Sequence, residues 1–146
     1  MVGKGPEMML AKIMKHFLGK PFKPGGLGPS EYDCLGFVVA FCEMCGKNIP
    51  RKYAQYDEQN YSESYLTNRE AAETVLIEYF DSFAERIQPE YTIASDIILF
   101  KSERDRLLFI AIYLGNNQYA SSFIKHGVRI FGPDEKTYPV MAWRVK

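Results

Sequence analysis

Hydrophobic positions in the first third of the chain recur at the spacing of an α-helix. Apolar side chains across residues 6–18 follow that spacing, and Gly19 is suited to end the helix. Residues 34–45 are nearly all apolar and come directly after Asp33, a good N-cap residue. A helix that is apolar around most of its circumference is buried. The pattern therefore predicts an amphipathic helix, a loop over the glycine- and proline-rich residues 19–32, and a central buried helix.

The middle of the chain predicts a polar segment followed by a third helix. Residues 47–66 are polar and rich in tyrosine, which indicates an ordered surface loop. Thr67 and Glu70 have the spacing of a capping box, in which the two side chains satisfy backbone N–H groups at the start of a helix. Apolar residues then repeat every three to four positions, so we expect a helix over residues 68–87 that Pro89 ends.

The last third of the chain has the pattern of β-strands. Residues 107–114 are eight consecutive apolar residues, which predicts a central strand buried on both faces. Residues 103–106 form a charged turn before it, and residues 115–117 (G-N-N) form a hairpin turn after it. The other predicted strands of an antiparallel meander are residues 97–100, 118–123, 128–131 and 140–145. Helices followed by a sheet indicate an α+β fold.

Composition narrows the class of protein. A chain of 146 residues that is 47% hydrophobic and 25% charged suits one domain over residues 1–146. Its formal net charge is zero, which argues against a nucleic-acid partner. It contains no apolar run long enough for a membrane span, and its start lacks the features of a signal peptide. These absences favour a cytoplasmic protein. Three cysteines do not make a disulfide framework.

One position carries candidate chemistry. Cys34 lies where the glycine-rich loop enters the buried helix, so its sulfur would feel the positive end of the helix dipole, which favours the thiolate. A cysteine in this setting is a candidate nucleophile. Cysteine is also a common buried hydrophobic residue, so the local pattern leaves a packing role open.

The surrounding residues resemble the NlpC/P60 family. The family's loop and helix motifs match P-F-K-P-G-G at residues 21–26 and Y-D-C-L-G-F-V at residues 32–38. Its later strand motifs are similar to S-D-I-I-L-F at residues 95–100, I-A-I-Y-L-G-N at residues 110–116 and A-W-R at residues 142–144. The resemblance implies a papain-like α+β fold with a helical insertion at about residues 67–88. It also implies a cysteine peptidase or amidase that acts on cell-wall stem peptides.

The same resemblance assigns roles to particular residues. It implies that Cys34 is the nucleophile and that Phe22, Tyr32, Asp33 and Leu35 lie against the substrate. Two of these depart from the family: Leu35 replaces a serine or tryptophan, and Phe22 lacks the phenol that many relatives carry.

The match fails at the catalytic base. The family's histidine position falls at Phe109 and its third polar residue at Ser121. A phenylalanine cannot accept a proton, and the loss of a triad member typically costs about 10³-fold or more in rate. The sequence therefore predicts a catalytically impaired module that binds a cell-wall-peptide-like ligand or a protein partner.

Two alternatives stay open. His126 lies in the turn between two predicted strands, at the same end of the sheet as Phe109, so it is a candidate for a relocated base in an active enzyme. The other histidine, His16, lies on the first helix. A small domain without a leader is also found among phage-tail-associated peptidases, so a structural role in a phage-tail-like particle is the third hypothesis.

The sequence implies no metal and no cofactor. Cys42 and Cys45 form a C-x-x-C motif, but the motif closes a helix, where the dipole opposes a thiolate. A zinc site would need two further ligands, and no second pair of cysteines or histidines exists. We therefore expect both cysteines to pack in the core.

Overall fold

The computed structural model describes residues 5–23, 26, 28–50, 69–103 and 107–146. In these ranges the helices α1 (Gly5–Met14), α2 (Cys34–Met44) and α3 (Arg69–Asp81) precede a six-stranded antiparallel sheet. The strands are β1 (Glu85–Ile87), β2 (Ile97–Ser102), β3 (Leu107–Gly115), β4 (Gln118–Phe123), β5 (Gly127–Phe131) and β6 (Thr137–Arg144). A short 3₁₀-helix, Pro89–Tyr91, lies between β1 and β2. The α+β fold is thus as the sequence predicted.

Helix α2 is the central buried helix, one residue shorter than predicted. Asp33 is its N-cap, and the Asp33 side chain accepts a hydrogen bond from the Gly36 N–H. At the other end the Cys45 N–H donates to the Phe41 carbonyl, and Gly46 has a φ of +81°. A glycine in this left-handed conformation commonly ends a helix. Both caps follow local sequence signals, so the prediction of this helix is confirmed.

Helix α1 ends four residues before the predicted end. The N–H groups of His16 and Phe17 donate to carbonyls three residues earlier, so the chain tightens into turns after Met14. The apolar face packs only in part, because Met9 and Leu18 are exposed. Leu10, Ile13, Met14 and Phe17 are all buried against the core.

The predicted extension of α3 to residue 87 is wrong. The helix ends at Asp81, and residues 85–87 form β1, which pairs with β6. The Ser82 hydroxyl donates to the Tyr79 carbonyl at the helix end. Residues 51–66 of the predicted loop, the predicted capping-box residue Thr67 and the first residue of the predicted helix lie outside the described residues, as do residues 104–106 of the predicted charged turn.

The strands follow the order β1-β6-β2-β3-β4-β5. Strands β2 to β5 form the predicted meander, and the turn between β3 and β4 has positive φ at Asn116 and Asn117, as expected for a two-residue hairpin. The last strand departs from the prediction. Strand β6 lies between β1 and β2 instead of continuing the meander beyond β5.

Side chains alternate between the two faces of the sheet. Helix α2 packs on the face that carries Ile97, Leu99, Ile110, Ile112 and Ala120. The opposite face carries a second, largely aromatic cluster that includes Ile98, Phe100, Phe109, Ala111 and Tyr119. Strand β3 is therefore buried on both faces, as the run of apolar residues predicted. In the described ranges, no helix is long and apolar enough to cross a membrane.

Candidate active site

Cys34 is the first residue of α2, at the positive end of the helix. Its side chain is buried, with 7% of the residue's surface exposed. Asp33, which is 1% exposed, precedes it and caps the helix through the hydrogen bond from the Gly36 N–H. The N-cap holds the first turn in one conformation, so the thiol is presented from a rigid element of the fold.

The glycine-rich loop packs directly on this helix start. The Gly26 carbonyl accepts a hydrogen bond from the Asp33 N–H at 3.2 Å. The same carbonyl lies against the Cα of Gly36, where a Cβ would overlap it. Gly26 of the loop motif and Gly36 of the cysteine motif are therefore parts of one contact between loop and helix.

Phe22 and Tyr32 bring the two ends of the loop together. They form a parallel bridge, in which the Tyr32 N–H donates to the Pro21 carbonyl at 3.0 Å and the Lys23 N–H donates to the Tyr32 carbonyl at 3.4 Å. The Tyr32 ring is buried, edge-on to Phe17 with ring centroids 5.3 Å apart.

The four residues predicted to line the ligand site differ in exposure. Phe22 is partly exposed, whereas Tyr32, Asp33 and Leu35 are buried. Phe22 is therefore the member of this set whose side chain offers surface to a ligand.

Ser122 of β4, which the sequence did not single out, contacts the backbone of Tyr32. The Ser122 hydroxyl donates a hydrogen bond to the Tyr32 carbonyl at 2.6 Å, and both residues are buried. The alternation of strand residues places Ser122 on the α2 face, next to Ser121 on the other face. The resemblance selects Ser121, and the local sequence carries no signal for the contact that Ser122 makes.

Phe109 and Ser121 lie on the sheet face opposite to α2. The Phe109 ring stacks on Phe100 with centroids 5.5 Å apart and meets Phe123 edge-on at 5.3 Å. The buried Ser121 hydroxyl donates to the Ile110 carbonyl at 2.6 Å. The structure therefore does not bring Phe109 into the buried cluster that contains Cys34.

The α2 face of β3 is apolar as well. Leu108, Ile110 and Ile112 pack towards the cluster that contains Cys34. Residues 107–114 contain no histidine, so neither face of this strand supplies an imidazole.

His126 lies in the exposed turn between β4 and β5. Its N–H donates to the Phe123 carbonyl at 3.2 Å. This turn is at the same end of the sheet as Phe109, since the Phe123 and Phe109 rings are in contact, and Ser122 in the same strand reaches Tyr32. His16 is exposed in the turn that follows α1.

The remaining cysteines lie at the far end of α2. Burial raises the pKa of Cys42 from 9.0 to about 12, against an opposing effect of nearby Lys47. Burial also raises the pKa of the half-buried Cys45, with Lys47 again acting in the opposite direction. Both shifts favour the neutral thiol. Within the ranges that the structure describes, no group of three or more His, Cys, Asp or Glu side chains is placed to hold a metal.

An ion pair between the partly exposed Arg144 and the buried Asp96 ties the closing strand to the segment before β2. Asp96 is almost fully buried and accepts hydrogen bonds from Arg144 Nε at 3.0 Å and Nη2 at 2.9 Å. Its carboxylate also accepts the Ile93 N–H at 2.8 Å. Removing the partner of a buried charge leaves that charge uncompensated, so this contact matters for the position of β6.

A family model and several solved structures of known proteins all relate the chain to the same family. The model of the NlpC/P60 family matches residues 19–145. The chain is similar in structure to the NlpC/p60 domain of the peptidoglycan hydrolase SagA (20% identity, TM-score 0.60, 96% of this chain and 98% of that one). It is also similar to NlpC1 from Trichomonas vaginalis (18% identity, TM-score 0.63, 95% and 44%).

A third solved structure is the P60 domain of an antigen from M. avium subspecies paratuberculosis (18% identity, TM-score 0.58, 99% and 97%). The chain thus spans nearly all of two of these structures and under half of the other. No curated protein matches the chain.

Proposed function

Because the chain belongs to the NlpC/P60 family, we propose that it is a binding module built on a cysteine-peptidase fold, which holds a cell-wall-peptide-like or protein ligand without cutting it efficiently. The observation that carries this proposal is the composition of β3. The strand from which the family takes its base contains only apolar residues and Tyr113 between residues 107 and 114. The position that the family motif gives to histidine is Phe109, which lies in the aromatic cluster.

Acyl transfer to a thiol needs a proton acceptor and a proton donor. A free thiol with a pKa of about 8.5 is only a few per cent thiolate at neutral pH. The helix N-terminus helps the thiolate but cannot protonate the leaving amine, which needs a general acid. Without a histidine beside Cys34, turnover should fall by about 10³-fold or more.

The ligand-binding part of the proposal is supported by the preserved loop. The N-cap of α2, the contact between Gly26 and Gly36, and the bridge between Phe22 and Tyr32 hold Gly26 and the two ends of the loop in place before any ligand arrives. Preorganised sites lose little conformational entropy on binding. One structural relative is the domain of a peptidoglycan hydrolase, which supports a cell-wall peptide as the ligand.

A second candidate, an active cysteine peptidase or amidase that uses His126 as its base, is favoured by one observation. Ser122 places the end of β4 beside Tyr32, two residues before Cys34, and His126 follows four residues after Ser122. The structural role in a phage-tail-like particle and the cytoplasmic or particle-associated location stay predictions.

The test is a thermal-denaturation and cleavage assay with purified muropeptides. We expect the ligand to raise the Tm of the wild type and of Cys34→Ala equally, by an amount that grows with ligand concentration. We expect mass spectrometry to show no Cys34-dependent cleavage. Phe22→Ala should weaken the shift, and Ile93→Ala, which alters an exposed apolar residue at the start of the segment before β2, is the matched control.

The same assay separates the two candidates. Cleavage that is lost in both Cys34→Ala and His126→Ala, but kept in His16→Ala, would establish the enzyme with a relocated base. A Tm that does not respond to muropeptides at any concentration would contradict the choice of a cell-wall peptide as the ligand.

A further inference from the structure

Two adjacent serines in β4 make similar hydrogen bonds on opposite faces of the sheet. Ser121 and Ser122 are both buried, and each hydroxyl donates to a backbone carbonyl at 2.6 Å. The Ser121 bond stays within the sheet, since its acceptor Ile110 belongs to the neighbouring β3. The Ser122 bond leaves the sheet and ends on Tyr32, which is 90 positions away in the chain.

The Tyr32 carbonyl belongs to the peptide unit that leads into the helix cap. The oxygen of this unit accepts the Ser122 hydroxyl at 2.6 Å, and its nitrogen, which is the Asp33 N–H, donates to the Gly26 carbonyl at 3.2 Å. A peptide unit is planar, so bonds at both of its polar groups determine the rotation of the whole plane. The next peptide unit joins Asp33 to Cys34.

We propose that Ser122 is a positioning residue whose hydroxyl sets the orientation of the peptide unit between Tyr32 and Asp33, and through it the position of the Cys34 thiol at the start of α2. The sheet thereby determines how the thiol is presented. This inference holds whether the site binds its ligand or cuts it, because it concerns the geometry of Cys34 alone.

A buried carbonyl that loses its shortest hydrogen bond is less well satisfied and regains bonding by moving. In Ser122→Ala the peptide unit keeps the Gly26 contact and the longer bond from the Lys23 N–H at 3.4 Å, and it loses the 2.6 Å bond from the hydroxyl. We expect the segment from Tyr32 to Cys34 to open more often, so that the buried thiol meets reagents more frequently.

The experiment measures the rate at which iodoacetamide alkylates Cys34 in the folded protein, from pH 6 to pH 9. Fragment-ion mass spectrometry distinguishes Cys34 from Cys42 and Cys45. We expect Ser122→Ala to raise the Cys34 rate by roughly two- to tenfold, the range that one hydrogen bond provides. We also expect the pH midpoint of the reaction to move, since the thiol changes its position relative to the helix end.

Ser121→Ala is the matched control, because it removes an equally short hydrogen bond from an equally buried serine in the same strand. Ser121→Ala should lower the urea midpoint about as much as Ser122→Ala does. It should leave the alkylation rate of Cys34 within about twofold of the wild type. Equal rate increases in both variants would indicate general loosening of the sheet and would overturn the proposal. Unchanged rates in both would overturn it as well.

A second pair of variants tests the hydroxyl at nearly constant volume. Ser122→Thr keeps a hydroxyl, and Ser122→Val replaces it with a methyl group, so the two differ in the hydrogen bond and share their added bulk. The proposal requires faster alkylation of Cys34 in the valine variant than in the threonine variant. If Ser122→Ala does not fold, this comparison tests whether the hydroxyl positions Cys34. The muropeptide assay described above reports separately on ligand binding.

Discussion

At the scale of single residues, the entry to α2 depends on the absence of one Cβ atom. Gly36 lies under the Gly26 carbonyl, which also accepts the Asp33 N–H. Any side chain at position 36 would have to displace backbone, and backbone cannot rotate away as a flexible side chain can. The contact between Gly26 and the start of α2 therefore depends on glycine at position 36.

Gly36→Ala should destabilise the protein although alanine is the better helix former. Alanine gains about 1 kcal/mol of helix propensity, whereas overpacking typically costs about 1–3 kcal/mol, and backbone that cannot rotate away favours the upper part of that range. We expect a lower urea midpoint and faster alkylation of Cys34. Gly132→Ala is the control, since a Cβ there would meet the Asn117 carbonyl at 3.7 Å, an ordinary van der Waals distance. A Gly36→Ala variant as stable as the control would contradict the contact.

Some single residues at the site were predictable and others were not. Asp33, Cys34 and Gly46 have local signals, because a cap is decided by the few residues on either side of it. The role of Ser122 has no local signal. It depends on which face of β4 meets residue 32, and that is a property of the folded sheet.

At the scale of elements, the two faces of β3 determine what the strand can contribute to the site. Phe109 and Ala111 point into the aromatic cluster, and Ile110 and Ile112 point towards α2. A histidine introduced at position 109 would enter the aromatic cluster and lie across the sheet from Cys34.

The double variant Phe109→His, Ser121→His should therefore stay inactive on muropeptides. It should also unfold at lower urea concentration, because a buried imidazole without a partner costs free energy. The assay is muropeptide cleavage, with circular dichroism to establish that the variant is folded. Cleavage above the wild-type level, dependent on Cys34, would mean that position 109 does face the thiol and that only the base had been lost.

The apolar pattern could not reveal which face of β3 is which. When a strand is buried on both sides, its residues do not alternate between polar and apolar. The sequence therefore does not show which of them face α2. The end of α3 was hidden for a related reason. Phe83 and Ile87 continue the helical spacing, but pairing of residues 85–87 with residues 142–144 of β6 decides the structure there.

At the scale of the whole molecule, the C-terminal strand joins the parts together. Strand β6 lies between β1 and β2, Trp143 donates to Asp81 at the end of α3, and Arg144 pairs with the buried Asp96. These contacts link residues far apart in sequence. Sequence patterns predicted that a last strand exists, but its place in the sheet depends on long-range pairing that local preferences do not encode.

Global stability should fall in alkaline solution because of Cys42. In the unfolded chain this thiol ionises near its ordinary pKa of 9.0, whereas burial raises its pKa to about 12 in the folded protein. The contribution of the neutral Cys42 thiol to the free energy of unfolding is complete below about pH 9. It is lost as the pH rises towards 12, with a slope of up to about 1.4 kcal/mol per pH unit.

The measurement is urea unfolding of the wild type and of Cys42→Ala between pH 7 and pH 10.5. The difference in unfolding free energy between the two should shrink above pH 9, because the alanine variant has no proton to lose at that position. A difference that stays constant over this range would show that Cys42 does not ionise on unfolding.

The pairing of the loop with the rim of the sheet has a further consequence, for self-association. Val128, near the start of the outermost strand β5, donates to the Lys20 carbonyl and accepts the Gly19 N–H. The strand at the opposite rim, β1, is only three residues long. Exposed strand edges are templates on which other chains can add by backbone pairing, and short or occupied edges resist this. The first residues of the glycine-rich loop thus also help to keep copies of the protein from joining edge to edge into aggregates.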